Sequence, residues 1–219
     1  MAKINGKAIS ETEKHEIIYV FDPLCGWCYG FSPVISRLKS ELNSSVDFLA
    51  LSGGMIKDAS RIGNLAGYIK SAYKVVENAT GVKFGEKFLK EVLEDDNAIF
   101  SSIPPAKAMA VIRIQKPGNC IEIATRIQKA IYYEGIDLND INAYAEIASE
   151  FGINPDDFIR QMNSDQIERI IQDEFKMVAG MGVKSYPTVV LRKENETKII
   201  SRGYKDFESL SAIVREALH

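Results

Sequence analysis

Apolar and polar positions along this chain change rhythm twice. Ile17-Ile18-Tyr19-Val20-Phe21 is an unbroken apolar run ended by Asp22-Pro23, and it predicts a buried strand. A helical pattern follows over 29–42, then a second strand over 46–51, closed by Ser52-Gly53-Gly54. Strand, helix and strand in that order predict a βαβ unit with parallel pairing and a right-handed crossover. Pro33 falls near the start of the helix, where first-turn N–H groups lack partners anyway, and this moderates its cost.

From residue 59 to 164 the β-branched runs give way to amphipathic helical spacing. Helices are predicted over 65–78, 84–94, 105–115, 120–133, 138–151 and 155–162. Gly81, Pro117-Gly118, Gly135 and Gly152 mark their ends, Asn139 or Asp140 caps one start, and Asn154 before Pro155 caps another. A longer helix over 165–181 carries the apolar stripe Ile167, Ile170, Ile171, Phe175 and Val178, and ends at Gly180 and Gly182. Strand rhythm then returns over 188–191 and 198–201, joined by a polar turn, before a last amphipathic helix over 207–218. The pattern divides the chain into a discontinuous α/β unit, 15–58 with 165–219, and an all-helical insertion, 59–164.

Composition removes several function classes. In 219 residues, 46% are hydrophobic and 26% charged, enough for a sizeable core in an ordinary globular protein. The formal net charge of −3 gives no basic footprint for nucleic acid, and no apolar run approaches a membrane span. The acidic cluster Glu91, Glu94, Asp95 and Asp96 reads as a solvated face. Residues 1–14 read as a loose arm or an edge segment, and the polar first 16 residues lack the apolar core and cleavage site of a secretory signal, which predicts a cytoplasmic protein or one whose signal has been removed.

The chemistry centres on Cys25-Gly26-Trp27-Cys28, between a strand and a helix. Unpaired N–H groups and the helix dipole at that junction favour an anion, so the first cysteine is expected to ionise more readily and act as a nucleophile. The second thiol lies about one turn on, in reach of a disulfide. Three plainer readings stand beside this one. CxxC is half of many zinc sites, but only Cys120, His15 and His219 remain as good further ligands, with no second close pair. A structural disulfide would close too short a loop to add much stability. Two inert buried thiols are the third. Trp27 reads either as an exposed apolar platform beside the sulfurs or as a partly buried aromatic at a helix start. Tyr29 reads as structural, Cys120 as a small buried hydrophobe, and Pro187, from its position alone, as an ordinary proline at a strand start.

The segment Phe21-Asp22-Pro23-Leu24-Cys25-Gly26-Trp27-Cys28-Tyr29-Gly30-Phe31, with Val183-Lys184-Ser185-Tyr186-Pro187-Thr188 leading into a hairpin and a final helix, resembles the thioredoxin superfamily. The helical block in between resembles its DsbA-like branch, including the FrnE-type cytosolic proteins. The resemblance implies an α/β, thioredoxin-like fold with a large all-helical insertion. It implies that Cys25 is the exposed attacking thiol and Cys28 the buried resolving one, and that Pro187 is a cis-proline facing them. Tyr186 then offers its backbone to an extended substrate, with Trp27 alongside. Thioredoxin and periplasmic DsbA-type proteins carry a buried carboxylate where Tyr19 stands here, so the proton acceptor for Cys28 shifts to Asp22, to Glu16 or to water. Asp22 also reads as a strand-end cap.

The expected activity is thiol–disulfide exchange, as a disulfide oxidoreductase or isomerase, with protein or glutathione-like thiol substrates and no cofactor or metal. One rival is a glutathione-linked transferase or isomerase of the kappa class, whose members place a serine where Cys25 stands. The other is a peptide-binding or chaperone module in which the cysteines are incidental.

Overall fold

The computed structural model describes residues 15–42, 45–194 and 196–218; the N-terminal arm expected before residue 15, and His219, lie outside them. In chain order the α/β part begins with β1 (His15–Phe21), α1 (Gly26–Leu42) and β2 (Asp47–Ser52). A pair of two-residue strands, β3 (Ser60–Arg61) and β4 (Ile99–Phe100), frames α2 (Gly63–Thr80) and a π-helical turn, Phe88–Val92. Then come α3 (Ile103–Gln115), α4 (Cys120–Lys129) running into a π-helical turn Ala130–Glu134, α5 (Ile141–Glu150), α6 (Pro155–Met162) and α7 (Asp165–Gly180). The chain closes with β5 (Thr188–Lys193), β6 (Glu196–Arg202) and α8 (Phe207–Leu218).

The main sheet has the order β2-β1-β5-β6. β1 runs parallel to β2, as the βαβ reading predicted, and antiparallel to β5, with Val20 opposite Thr188. This register sets the end of β1, and therefore Cys25, beside the start of β5, and therefore Pro187. β1 is covered on both faces, which is why its sequence is continuously apolar rather than alternating. Ile17, Tyr19 and Phe21 pack in one cluster with Ile35 and Leu38 of α1 and Leu210 and Val214 of α8. Ile18 and Val20 pack in another with Val178 of α7 and Val183.

The outer edge of β2 is closed by side chains of the helical segment. Cys120 of α4 donates to the Phe48 carbonyl at 3.0 Å, and Arg113 of α3 donates to the Ala50 carbonyl at 2.7 Å. Glu174 of α7 accepts the Ser52 N–H at 2.6 Å and also pairs with Arg113. Edge groups that would otherwise lack partners are thereby satisfied.

Two local expectations need correction, and one strand pair was not expected. The helix expected over 84–94 is a single π-helical turn, because the Gly85 N–H binds the Tyr132 carbonyl at 2.9 Å and ties that stretch to α4's extension. The β3–β4 pair carried too few residues to show a pattern. α1 begins at Gly26 rather than at residue 29, so Pro33 lies about two turns inside it and the first-turn argument does not apply. Pro33 itself is exposed on the outer face of the helix. The caps fared better: Asp140 accepts the Asn142 N–H at 2.9 Å and Asn154 accepts the Asp157 N–H at 3.1 Å.

Candidate active site

The turn from β1 into α1 is built by Asp22. Its carbonyl accepts the Cys25 N–H at 3.0 Å, and its carboxylate accepts the Leu24 N–H at 2.9 Å. Cys25 therefore lies immediately before the first residue of α1, with its sulfur 3.3 Å from the Cys28 N–H. A donor aimed at the sulfur, at a helix start, stabilises negative charge there. Across the sheet, the Cys25 thiol lies 3.7 Å from the Tyr186 carbonyl oxygen, and the Tyr186–Pro187 peptide bond is cis. The structure thus brings Cys25, Cys28, Tyr186 and Pro187 into one place from the two ends of the chain.

Cys28 is fully buried, as expected, but Cys25, expected to be exposed, is only 8% accessible, because the Tyr186 backbone lies across it with its carbonyl oxygen 3.7 Å from the sulfur; both are free thiols. Burial pushes the Cys28 thiol well above its ordinary value, and its hydrogen bond with Cys25 and that neighbour's charge add to the rise. The Tyr19 hydroxyl donates to the Cys28 carbonyl at 3.3 Å. Its own pKa is raised, first by burial and then by the cysteines, so Tyr19 holds its proton at neutral pH.

Asp22 is also fully buried. Besides Leu24 it accepts the Met55 N–H at 2.7 Å and the Ser102 hydroxyl at 2.9 Å. Burial raises its pKa, while the hydrogen bonds from Met55, Leu24, Ser102 and Gly54 oppose that rise. The cap reading of Asp22 therefore holds, and the same carboxylate gathers three segments behind the cysteines. Glu16, the other acid considered, pairs with Arg192 at the far end of β1.

Trp27 is half-buried, its ring 6.0 Å from that of Tyr204. The Tyr29 hydroxyl donates to the Lys83 carbonyl at 2.8 Å and its ring stacks on Tyr132, a structural role. Cys120 lies apart at the β2 edge, and burial raises its pKa. Tyr186 packs over Gly53, where an added Cβ would come within 1.9 Å of the phenol oxygen. Among the described residues no group of three or more His, Cys, Asp or Glu is arranged to hold a metal.

Sequence reasoning missed Ser102, Met55 and Gln128. Gln128 is buried, donates to the Asp22 carbonyl at 3.4 Å and accepts from Ser32 at 3.0 Å. No local motif announces these residues, since each reaches the site from the helical segment or the loop leading to it.

A thioredoxin-like sheet interrupted by a helical segment, with two cysteines at a helix start facing a cis-proline, defines the DsbA-like class of folds. The chain belongs to the thioredoxin family, whose model matches residues 19–212. Among solved structures it is similar to the cytosolic disulfide reductase DsbM of Pseudomonas aeruginosa, at 25% identity and TM-score 0.79 over 93% of this chain and 98% of that one. A second structure of DsbM contains glutathione. A Nitrosomonas europaea protein ascribed to the disulfide isomerases matches at 23% identity and TM-score 0.85, over 94% and 98% of the two chains. Among curated proteins the chain is 22% identical over 175 residues to the ClpXP adapter SpxH of Bacillus subtilis; the match takes in 78% of this chain but 56% of that protein's length.

Proposed function

We propose that this protein catalyses thiol–disulfide exchange through Cys25 and Cys28, with Tyr186, Pro187 and Trp27 forming the surface that receives substrate. The observation that carries this reading is the Cys25 sulfur held between the Cys28 N–H and the Tyr186 carbonyl beside a cis-proline. In the reducing direction the Cys25 thiolate attacks one sulfur of a substrate disulfide. The substrate S–S bond breaks, a mixed disulfide forms, and the displaced thiolate takes up a proton. Cys28 then gives up its proton and attacks the Cys25 sulfur, so the second substrate thiol leaves and the protein's own disulfide closes. Two electrons pass from the Cys25–Cys28 dithiol to the substrate, and the reverse sequence oxidises a substrate dithiol.

On this reading 15–58 with 165–219 is the redox unit, and 59–164 walls its active face. The reducing direction is supported by the likeness to DsbM, named a cytosolic disulfide reductase, and a cytoplasmic setting would keep the pair largely as a dithiol. Protein and small-molecule thiols are both candidate substrates, the latter supported by the glutathione-containing DsbM structure. Insulin reduction and refolding of scrambled ribonuclease test the proposal. Cys25→Ala abolishes both activities if the exchange reading is right; turnover that survives the substitution refutes it and points to a binding module.

A further inference from the structure

Tyr19 of β1 is fully buried, and its hydroxyl is a polar group that the exchange steps above do not use. Alternation along the strand sets it on the same face as Phe21, the face that packs against α1. Its ring lies 5.1 Å from that of Phe21 and 5.7 Å from that of Phe31, contacts that hold the ring and leave the hydroxyl at the first turn of α1. There the hydroxyl stands 3.3 Å from the Cys28 carbonyl oxygen, longer than the roughly 2.5–3.0 Å of a good O–H···O bond. That carbonyl is well supplied without it. The helix gives it the Ser32 N–H, and the Ser32 hydroxyl stands at the same 3.3 Å. The Tyr19 hydroxyl also lies within hydrogen-bonding reach of the Cys28 side chain. A buried donor with a weak partner, and a sulfur beside it, is placed to change partners.

Resting on the exchange reading above, we propose that the Tyr19 hydroxyl turns to the Cys28 sulfur when that sulfur ionises, and that this O–H···S bond sets how fast Cys28 resolves the mixed disulfide. Tyr19 is then a catalytic residue that acts on a reacting atom as a neutral donor. In this step Cys28 loses its proton to water, and its sulfur lone pair forms the bond to the Cys25 sulfur. The bond between Cys25 and the substrate sulfur breaks, and the substrate leaves as a thiolate that takes up a proton. Tyr19 keeps its own proton throughout. Three observations support this role. A charge on a fully buried sulfur is unfavourable unless a donor meets it. The ionisable groups around Cys28 bring it no positive charge. Cys25 and Asp22 raise its pKa by repulsion, while Tyr132 and Tyr186, which sense the charge of both cysteines, are held protonated by burial. A hydrogen bond from the Asp22 backbone favours the thiolate, and the Tyr19 hydroxyl adds a second donor from the strand below. Finally, the burial that keeps Tyr19 from ionising makes it a donor to the sulfur and not a rival anion.

The test uses the pre-reduced full-length protein and dithiobis(nitrobenzoate), a disulfide whose two halves each become coloured on release. The protein's dithiol supplies both electrons, so no other reductant is needed. The first release depends on reagent concentration and reports attack by Cys25; the second does not, and reports attack by Cys28. Tyr19→Phe removes the hydroxyl and keeps the ring. Losing a hydrogen bond to a charged group disfavours ionisation about tenfold or more, and the greater nucleophilicity of the less acidic thiolate returns about half of that on a logarithmic scale. The second release therefore slows about threefold or more at neutral pH, while the first is unchanged. Ser32→Ala, which removes the other hydroxyl at the Cys28 carbonyl, leaves the second release unslowed. Carbon-NMR titration of the Cys28 β-carbon in Cys25→Ser supplies a readout that a purely structural role would not move: its midpoint rises when Tyr19→Phe is added. An unchanged second release in Tyr19→Phe, slowing of both releases alike, an unmoved midpoint, or equal slowing in Ser32→Ala overturns the inference and leaves exchange itself standing. Absence of any second release from the unsubstituted protein removes the exchange reading and this inference with it.

Discussion

Removing the charge of Glu174 tests how the helical segment supports the active-site loops. Glu174 and Arg113 form an ion pair with only 7% and 14% side-chain exposure, and each also binds an edge group of β2, the Ser52 N–H and the Ala50 carbonyl. Glu174→Gln leaves the guanidinium without its counter-charge in a site closed to water. Breaking a buried pair from one side destabilises by about 3–5 kcal/mol. For a chain of this size that lowers Tm by about 6–20 °C, at roughly 2–4 °C per kcal/mol. Arg113→Met falls in the same range, because it strands a buried carboxylate and frees the Ala50 carbonyl. The double variant Arg113→Met/Glu174→Leu removes both charges and leaves two unpaired backbone groups, at about 1–3 kcal/mol each. Its loss is therefore smaller than the sum of the two single losses. Thermal and urea unfolding of the four proteins closes the cycle. Strict additivity within about 0.5 kcal/mol would show that the two side chains act independently, and the edge-closing argument would fail. The cycle also has a functional arm. Ser52 leads into Gly53, whose N–H binds the Phe21 carbonyl at 2.7 Å, and into Met55, whose N–H binds Asp22, so loosening Glu174 is expected to slow exchange as well.

Three further outcomes follow from the site. Burial raises the Cys28 pKa well above the usual thiol value, so its thiolate fraction climbs tenfold per pH unit across the neutral and mildly alkaline range. Release of substrate from the Cys25 mixed disulfide, followed by stopped flow, therefore keeps accelerating through pH 9, and a plateau below pH 8 would contradict that burial. Gly53→Ala forces the Tyr186 ring away from its seat, since the new Cβ would lie 1.9 Å from the phenol oxygen; exchange with peptide disulfides falls about tenfold or more while circular dichroism stays native. Cys120→Ala retains full insulin-reducing turnover and lowers stability by about 1–3 kcal/mol, the cost of leaving the Phe48 carbonyl at the β2 edge unpaired, as read by thermal unfolding.

What could be read from the sequence was whatever the chain states locally. β1 declares itself because both of its faces are buried, so five consecutive residues had to be apolar. The CxxC and the Tyr-Pro-Thr segment each occupy a few adjacent residues, and sheet register does the rest by setting the end of β1 beside the start of β5. The supporting shell has no such signature. Ser102 reaches the Asp22 carboxylate from 80 residues away, and Gln128 reaches the Asp22 carbonyl from 106. Ser102 stands just before α3 and Gln128 inside α4, neither in a recognisable motif, and only the docking of that segment gives each its partner. The same cause explains the misread helix over 84–94, where a long-range bond from Gly85 to Tyr132 outweighs local helix preference. The Asp22 carboxylate joins the two classes of information. Its position before Pro23 makes a strand-end cap legible, yet its burial comes from donors in the β2–β3 loop and at the start of α3, and burial is what turns a cap into a titratable neighbour of the cysteines. The cysteine pair can thus be found from a motif, whereas the groups that set its surroundings have to be found from the packing of the helical segment against the sheet.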